Sequence, residues 1–214
     1  MISTKFVDVD VDTSNDFMLP EGALPAPDVL GIHKNTKLLT NHAYATNRLI
    51  ISLVDRHFDI NIDREELATY GVHAMHGTWG QEKIPESLLS IRYFVPSCTI
   101  NLNTLINTKY YNQVIFGKQG VNGFFSKENP AGNRNIEAAV KDIYHVKKAI
   151  FRGVLTDICV VINLYEFLRL EVECYLVTDA IRALDQEAGQ KAIDKMEKDG
   201  VHLVTTDWVI KNVR

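Results

Sequence analysis

Cys159 is placed for covalent chemistry. It follows the strand-like ending Gly153-Val154-Leu155, and Thr156 or Asp157 stands where it can cap a helix that holds the cysteine in its first turn. Amide dipoles at a helix N-terminus, with a lysine nearby, favour the thiolate, which is the nucleophilic form. The same position also suits a buried thiol packed with Ile158, Val160 and Val161. Cys174, inside Val172-Glu173-Cys174-Tyr175-Leu176-Val177, reads as core, and Cys98, with no acid or base beside it, reads as structural. Three widely spaced cysteines without a Cys-x-x-Cys pair indicate neither a disulfide framework nor a thiolate zinc site. A second chemistry is written in Asp55, His57 and His73. Asp55 and His57 are two apart on an extended segment, so their side chains point the same way, and His73 returns later in the chain. One carboxylate and two imidazoles suit zinc, manganese or iron with positions left open, while the bland reading is a solvated turn with satisfied histidines. His76 competes with His73 as third ligand.

These residues need a frame. Short apolar runs alternate with amphipathic stretches, the pattern of repeated βα units around a mostly parallel sheet, so the fold class is α/β. Strands are expected near Phe6 to Val11, Leu49 to Val54, Ile91 to Val95, Gln113 to Phe116, Ala149 to Val154, Glu173 to Val177 and His202 to Thr205. Helices are expected near Lys34 to Ala45, Leu102 to Lys109, Asn135 to Lys147, Thr156 to Leu170 and Ala188 to Lys198, with a short one from Asp207. Pro and Gly gather in Leu19 to Gly31, Gly117 to Gly123 and Asn129 to Gly132, which read as loops inside one domain spanning 1–214. In such a sheet ligands bind beyond the carboxyl ends of the strands. Asp12, Asp55 with His57, Lys118, and Cys159 all stand at or just past such ends.

The chain has 214 residues, 46% of them hydrophobic, and a net charge of −4. At this size a large core forms without disulfide or metal staples. A slightly acidic balance without a Lys/Arg run argues against nucleic-acid binding, which rests on phosphate neutralisation. No stretch has the apolar length of a membrane span, and Met1-Ile2-Ser3-Thr4-Lys5 lacks signal-peptide character, so a cytoplasmic location is expected.

Taken in order, the motifs resemble the isochorismatase-like cysteine hydrolase superfamily, in particular its nicotinamidase-related branch. The carriers are Val11-Asp12-x-x-Asn15-Asp16-Phe17-Met18 with Glu21-Gly22-Ala23-Leu24, Asp55-x-His57, His73-x-x-x-Gly77-Thr78-x-Gly80 and Lys83-Ile84-Pro85-Glu86. Further on come Lys118 to Phe124, Gly153-Val154-Leu155-Thr156-Asp157-Ile158-Cys159-Val160, and Val177-Thr178-Asp179-Ala180. The resemblance implies a three-layer α/β/α fold with a six-stranded parallel sheet and a triad of Asp12, Lys118 and Cys159. By the same analogy the backbone N–H groups of Leu155 and Cys159 form an oxyanion hole, with a cis peptide at Val154–Leu155. Asp55, His57 and His73 match the branch's metal ligands, which anchor the ring of an N-heteroaromatic amide. Phe17, Trp79 and Phe124 are the aromatic candidates for a wall around that ring. The partner expected is a small-molecule amide, with neither nucleic acid nor membrane. Oligomers are common in the family, and Tyr93-Phe94-Val95 or Tyr110-Tyr111 are candidate contacts of a homo-oligomer.

Ser14, Ala74 and Asn122 depart from the family's usual residues and bear on substrate identity. Asp8 and Asp10, alternating with Val7, Val9 and Val11 in an expected central strand, need partners or solvent, because unpaired buried carboxylates are costly. Within this reading the alternative to nicotinamide hydrolysis is an isochorismatase or carbamoyl-amide type hydrolase of the same superfamily, and two rivals stand outside it. One is a catalytically silent relative that binds through the same pocket. The other is a haloacid-dehalogenase-type phosphatase suggested by Asp10-Val11-Asp12-Thr13, against which the chain lacks a later Gly-Asp-x-x-x-Asp cluster.

Overall fold

Parallel strands covered on both faces read as nearly continuous apolar runs, and the runs here become the strands. The computed structural model describes residues 2–58 and 64–214. Strands β1 (Ser3–Val11), β2 (Arg48–Asp55), β3 (Arg92–Val95), β4 (Gln113–Lys118), β5 (Lys148–Val154), β6 (Glu173–Arg182) and β7 (His202–Val204) form one sheet in the order β3-β4-β2-β1-β5-β6-β7. Every pairing is parallel. The α/β class is borne out, with seven strands where the resemblance implied six. The additional pairing is at an edge, where the three residues of β7 add to β6 from Tyr175↔His202 to Val177↔Val204.

The helices are α1 (Asn15–Met18), α2 (His33–Ala45), α3 (Arg64–Tyr70), α4 (Leu102–Asn107), α5 (Ile136–Ala138), α6 (Val161–Arg169), α7 (Gln186–Lys198) and α8 (Thr206–Asn212). The helix expected over Asn135 to Lys147 is shorter. It widens into an i→i+5 turn, with Tyr144 N–H donating to Ala139 O, and ends where His145 takes a φ of +50°. The helix expected from Thr156 likewise opens with a wide turn over Thr156–Val160, and α6 begins only at Val161.

One face of the sheet packs Val7, Val9 and Val11 with Phe116 and Phe151 against Val140, Ile143 and, from α6, Leu164 and Phe167. The other packs Ile150 and Val177 against Leu39 of α2 and Val209 of α8. Asp8 and Asp10 belong to that second side, and both are fully buried. Partners, rather than solvent, accommodate them. Asp8 is bridged by Arg48 at 3.0 Å and by Arg152 at 3.3 Å, and Asp10 by Lys83 at 2.6 Å. Arg152 also donates to Thr40 Oγ1 of α2, and Ser52 donates to Asp10 Oδ2. No described helix is long and apolar enough to cross a membrane.

Candidate active site

β1 is the point at which the strand order turns, with β2 on one side and β5 on the other. Register then assembles the site. Val11 pairs with Leu53 and with Gly153, and Asp55 pairs with Lys118, so Asp12, Asp55 and Lys118 reach one rim from three adjoining strands. Beyond β5 the wide turn carries Cys159 to the same place. Gly153 makes the junction tight: its φ is +112°, and a Cβ there would lie 2.0 Å from Val11 O. The Val154–Leu155 peptide is cis, as the resemblance implied.

Lys118 is fully buried and bridges both carboxylates, with Nζ 3.0 Å from Asp12 Oδ2 and bonded to Asp55 Oδ1, and Cys159 Sγ 3.9 Å away. Asp55 N–H donates to Asp12 Oδ1 at 3.0 Å. Burial opposes charge at each position, and the balance differs among them. Burial, helped by the charge of Asp55 and resisted by Lys118, pushes Asp12 up to about 7. At Asp55 burial is outweighed by Lys118 and the two histidines, and the carboxyl is held well below the usual range. Lys118 stays protonated: burial disfavours the charge, and Asp12 and Asp55 more than restore it. Burial pushes the Cys159 thiol well up in spite of Lys118. This departs from the thiolate expected at a helix start, because desolvation of a side chain that is 4% exposed exceeds the helix-terminus effect. A buried thiol beside a carboxyl that exchanges its proton near neutrality needs proton transfer to become nucleophilic. Asp157 is not a helix cap; its carboxylate accepts from the N–H groups of Leu184 and Asp185.

Asp55, His57, Glu66 and His73 each bring one ligand atom into a cluster in which all lie within 4.8 Å of one another. Glu66, on α3, is missing from the sequence-derived set. Its only signal is a helix-period offset in a polar stretch between two candidate ligands, which carries no apolar pattern to reveal α3. Two imidazoles and two carboxylates suit a first-row divalent cation. Asp55 Oδ2 and Glu66 Oε2 are buried without a hydrogen-bond partner among the described residues, as atoms held for a cation would be. His73 Nδ1 is 2.8 Å from Gly71 O, which leaves Nε2 facing Asp55 and Glu66 at 3.8 and 3.6 Å. Burial disfavours a charged His73, yet hydrogen bonds and charge from these carboxylates raise it to about 10. His76 lies apart from the cluster: its Nδ1 accepts from Arg56 Nε, and its ring packs on Phe58.

Of the aromatic candidates, Phe17 is buried with its ring 5.3 Å from that of His73. Phe124 is buried edge-on against Phe167, and Trp79 is 48% exposed beside α1, where its carbonyl accepts from Asn15. Tyr70, at the end of α3, was not among them; burial first, and then nearby acidic groups, raise its hydroxyl pKa. Cys174 is core, with Sγ on Val172 O, and Cys98 is exposed rather than structural. Asp10 is tied to Lys83, Thr13 and Ser52 inside the sheet, which removes the nucleophile that a dehalogenase-type phosphatase would need at the rim.

Residues 103–207 match the isochorismatase domain family. The match spans just under half of the chain and includes Lys118 and Cys159, in keeping with the isochorismatase-like resemblance that the motifs carry. Solved structures of the same fold include the pyrazinamidase of Pyrococcus horikoshii in complex with zinc, 22% identical over 94% of this chain and 99% of that one, with a TM-score of 0.71. The nicotinamidase/pyrazinamidase PncA of Bacillus subtilis is 19% identical over 94% and 99%, with a TM-score of 0.72. PnC1 of L. infantum, solved in complex with nicotinate, is 16% identical over 97% and 96%, with a TM-score of 0.72. At these identities the likeness is one of fold. No curated protein matches the sequence.

Proposed function

We propose that the chain is a cysteine-dependent amidohydrolase of small carboxamides, with nicotinamide the first candidate and nicotinate and ammonia the products. The observation that carries the reading is the buried ammonium of Lys118 shared by the carboxylates of Asp12 and Asp55 beside the Cys159 thiol. Buried charges are costly, and a cluster of shifted groups at a strand rim is where chemistry is to be expected. Asp12 takes the thiol proton as Sγ attacks the carboxamide carbon, and the N–H groups of Leu155 and Cys159 hold the resulting oxyanion. Asp12 then gives its proton to the departing nitrogen, the C–N bond breaks, and ammonia leaves a thioester on Cys159. Water, deprotonated by Asp12, adds to the thioester; the C–S bond breaks, the acid is released, and the thiolate recovers its proton. Lys118 keeps the two carboxylates together through both halves.

Asp55, His57 and His73, with Glu66, would hold a divalent cation, zinc first by donor chemistry and manganese or iron otherwise, which when bound supplies an electropositive anchor for a ring nitrogen. Phe17 is the wall of the ring site on this reading, with Trp79 at the rim and Phe124 at the base. A small-molecule amide partner, a cytoplasmic location and homo-oligomeric assembly belong to the same proposal. The test is ammonia release from nicotinamide by wild type, Cys159→Ala and a chelated sample. Release by wild type alone is the expected result. Near-normal turnover by Cys159→Ala overturns the mechanism, and bound metal without release moves the substrate to another amide.

A further inference from the structure

We propose that Lys83 and Thr13 are positioning residues for Asp12: they clamp the turn that carries its carboxylate, and loosening the clamp lowers turnover while leaving substrate binding intact. The inference rests on the reading of Asp12 as the proton acceptor. Asp12 has a φ of +50°, a region disfavoured for any residue with a Cβ. Its neighbours must therefore hold it, and they do so through the segment 82–84. Ile84 N–H donates to Thr13 O at 3.0 Å, Asn15 N–H donates to Glu82 O at 2.8 Å, and Ser14 and Lys83 form an antiparallel bridge between these bonds.

The side chains repeat the bracket. Lys83 Nζ donates to Asp10 Oδ2 at 2.6 Å and to Thr13 Oγ1, so one ammonium joins the residue two before Asp12 to the residue after it. Thr13 Oγ1 closes the loop by donating to Asp10 Oδ1 at 2.9 Å, with Ser87 Oγ 2.8 Å away. The Lys83 side chain is 4% exposed, an unusual place for a lysine unless its charge is used. A carboxylate in the middle of a central strand is also explained: Asp10 anchors the clamp from inside the sheet, where Ser52 and Arg152 hold it in turn. The side-chain bonds of Lys83 and Thr13 go to each other, to Asp10 and to Ser87 rather than to Lys118 or Cys159, so their effect on chemistry passes through the orientation of Asp12.

The experiment compares metal-loaded wild type, Thr13→Val, Thr13→Ser and Lys83→Met. Thr13→Val removes the hydroxyl that bonds Lys83, Asp10 and Ser87 while leaving the direct Lys83–Asp10 pair in place, and Thr13→Ser puts the hydroxyl back. Steady-state kinetics on the best carboxamide are combined with amide hydrogen exchange of a peptide covering 12–18. Loss of alignment by a fraction of an ångström predicts a kcat lower by about tenfold in Thr13→Val and more in Lys83→Met. KM should stay within about twofold, because ground-state binding is untouched. Exchange at the Asn15 amide should quicken, and Thr13→Ser should restore both readouts. A Thr13→Val protein with wild-type kcat, a parallel rise in KM, or a Thr13→Ser protein as slow as Thr13→Val overturns the proposal. If Lys83→Met does not fold, the Thr13 pair decides alone. If wild type hydrolyses no carboxamide, the proposed activity fails, and exchange still judges the clamp: faster in Thr13→Val and restored in Thr13→Ser supports it, equal exchange overturns it.

Discussion

Gly153→Ala tests how closely the two strands that bring Asp12 and Cys159 together must approach. The new methyl would start 2.0 Å from Val11 O, whereas real Cβ contacts essentially never fall below 3.0 Å. A close-packed sheet has no slack to absorb this, so β1 and β5 must part by about 1 Å at the rim. Val11 and Gly153 are register partners, and Asp12 is the next residue, so the gap opens where the carboxylate meets the thiol. A positive φ costs alanine about 1–2 kcal/mol, and the forced strand shift adds about 1–3 kcal/mol. A total near 3 kcal/mol lowers Tm by about 6–12 °C for a domain of this length. A misplacement of about 1 Å at the reacting groups costs about a hundredfold in kcat. Differential scanning calorimetry and ammonia release measure the two effects separately. A variant with Tm within about 2 °C of wild type, or with kcat within about twofold, would show that the approach at Gly153 does not set the site.

Arg152→Met strips one of the cations from Asp8 and Asp10 and should cost about 3–5 kcal/mol; a urea midpoint close to wild type would sink this account of the strand. Asp10 gives a pH signature. Burial opposes its ionisation, but Lys83 and Arg152 hold its carboxyl below the ordinary value. Its stabilising share is therefore complete above the unfolded value near about 4 and is lost as pH falls through the lower folded one. Asp10→Asn should flatten unfolding free energy against pH below about 4, and an unchanged slope would contradict the pairing. For the metal group, His57→Ala should lower metal content and raise KM for a ring amide, and Glu66→Gln should weaken metal affinity by about 10–100-fold. Elemental analysis showing wild-type metal in Glu66→Gln would remove it from the ligand set.

The strands and the rim residues were legible because each chemical residue ends an apolar run, and burial on both faces makes such runs continuous. Lys118, Asp55 and Asp12 needed nothing more than register to meet. Glu66 was not legible, since α3 has no apolar period to place it and it reaches the cluster through a turn of chain that sequence spacing does not position. The protonation of Cys159 was misread for a different reason: helix-start and lysine effects are local and visible, whereas desolvation depends on everything packed around the sulfur. Asp8 and Asp10 posed a question that only the fold could answer, because their partners come from β2, β5 and residue 83, far apart in the chain.

The alternation of valine and aspartate along β1 has a consequence for how the chain reaches its native state. Sliding β1 by one position would exchange its two faces. The valines would then meet Arg48 and Arg152, and the carboxylates would be driven among Phe116, Phe151 and Phe167 with no cation to receive them. The mispaired sheet would bear several kcal/mol of stranded charge. An all-valine strand tolerates such an error almost silently. Here the buried ions act as a proofreading key, so that a misthreaded chain is too unstable to persist and only the arrangement that delivers Asp12 to the rim survives.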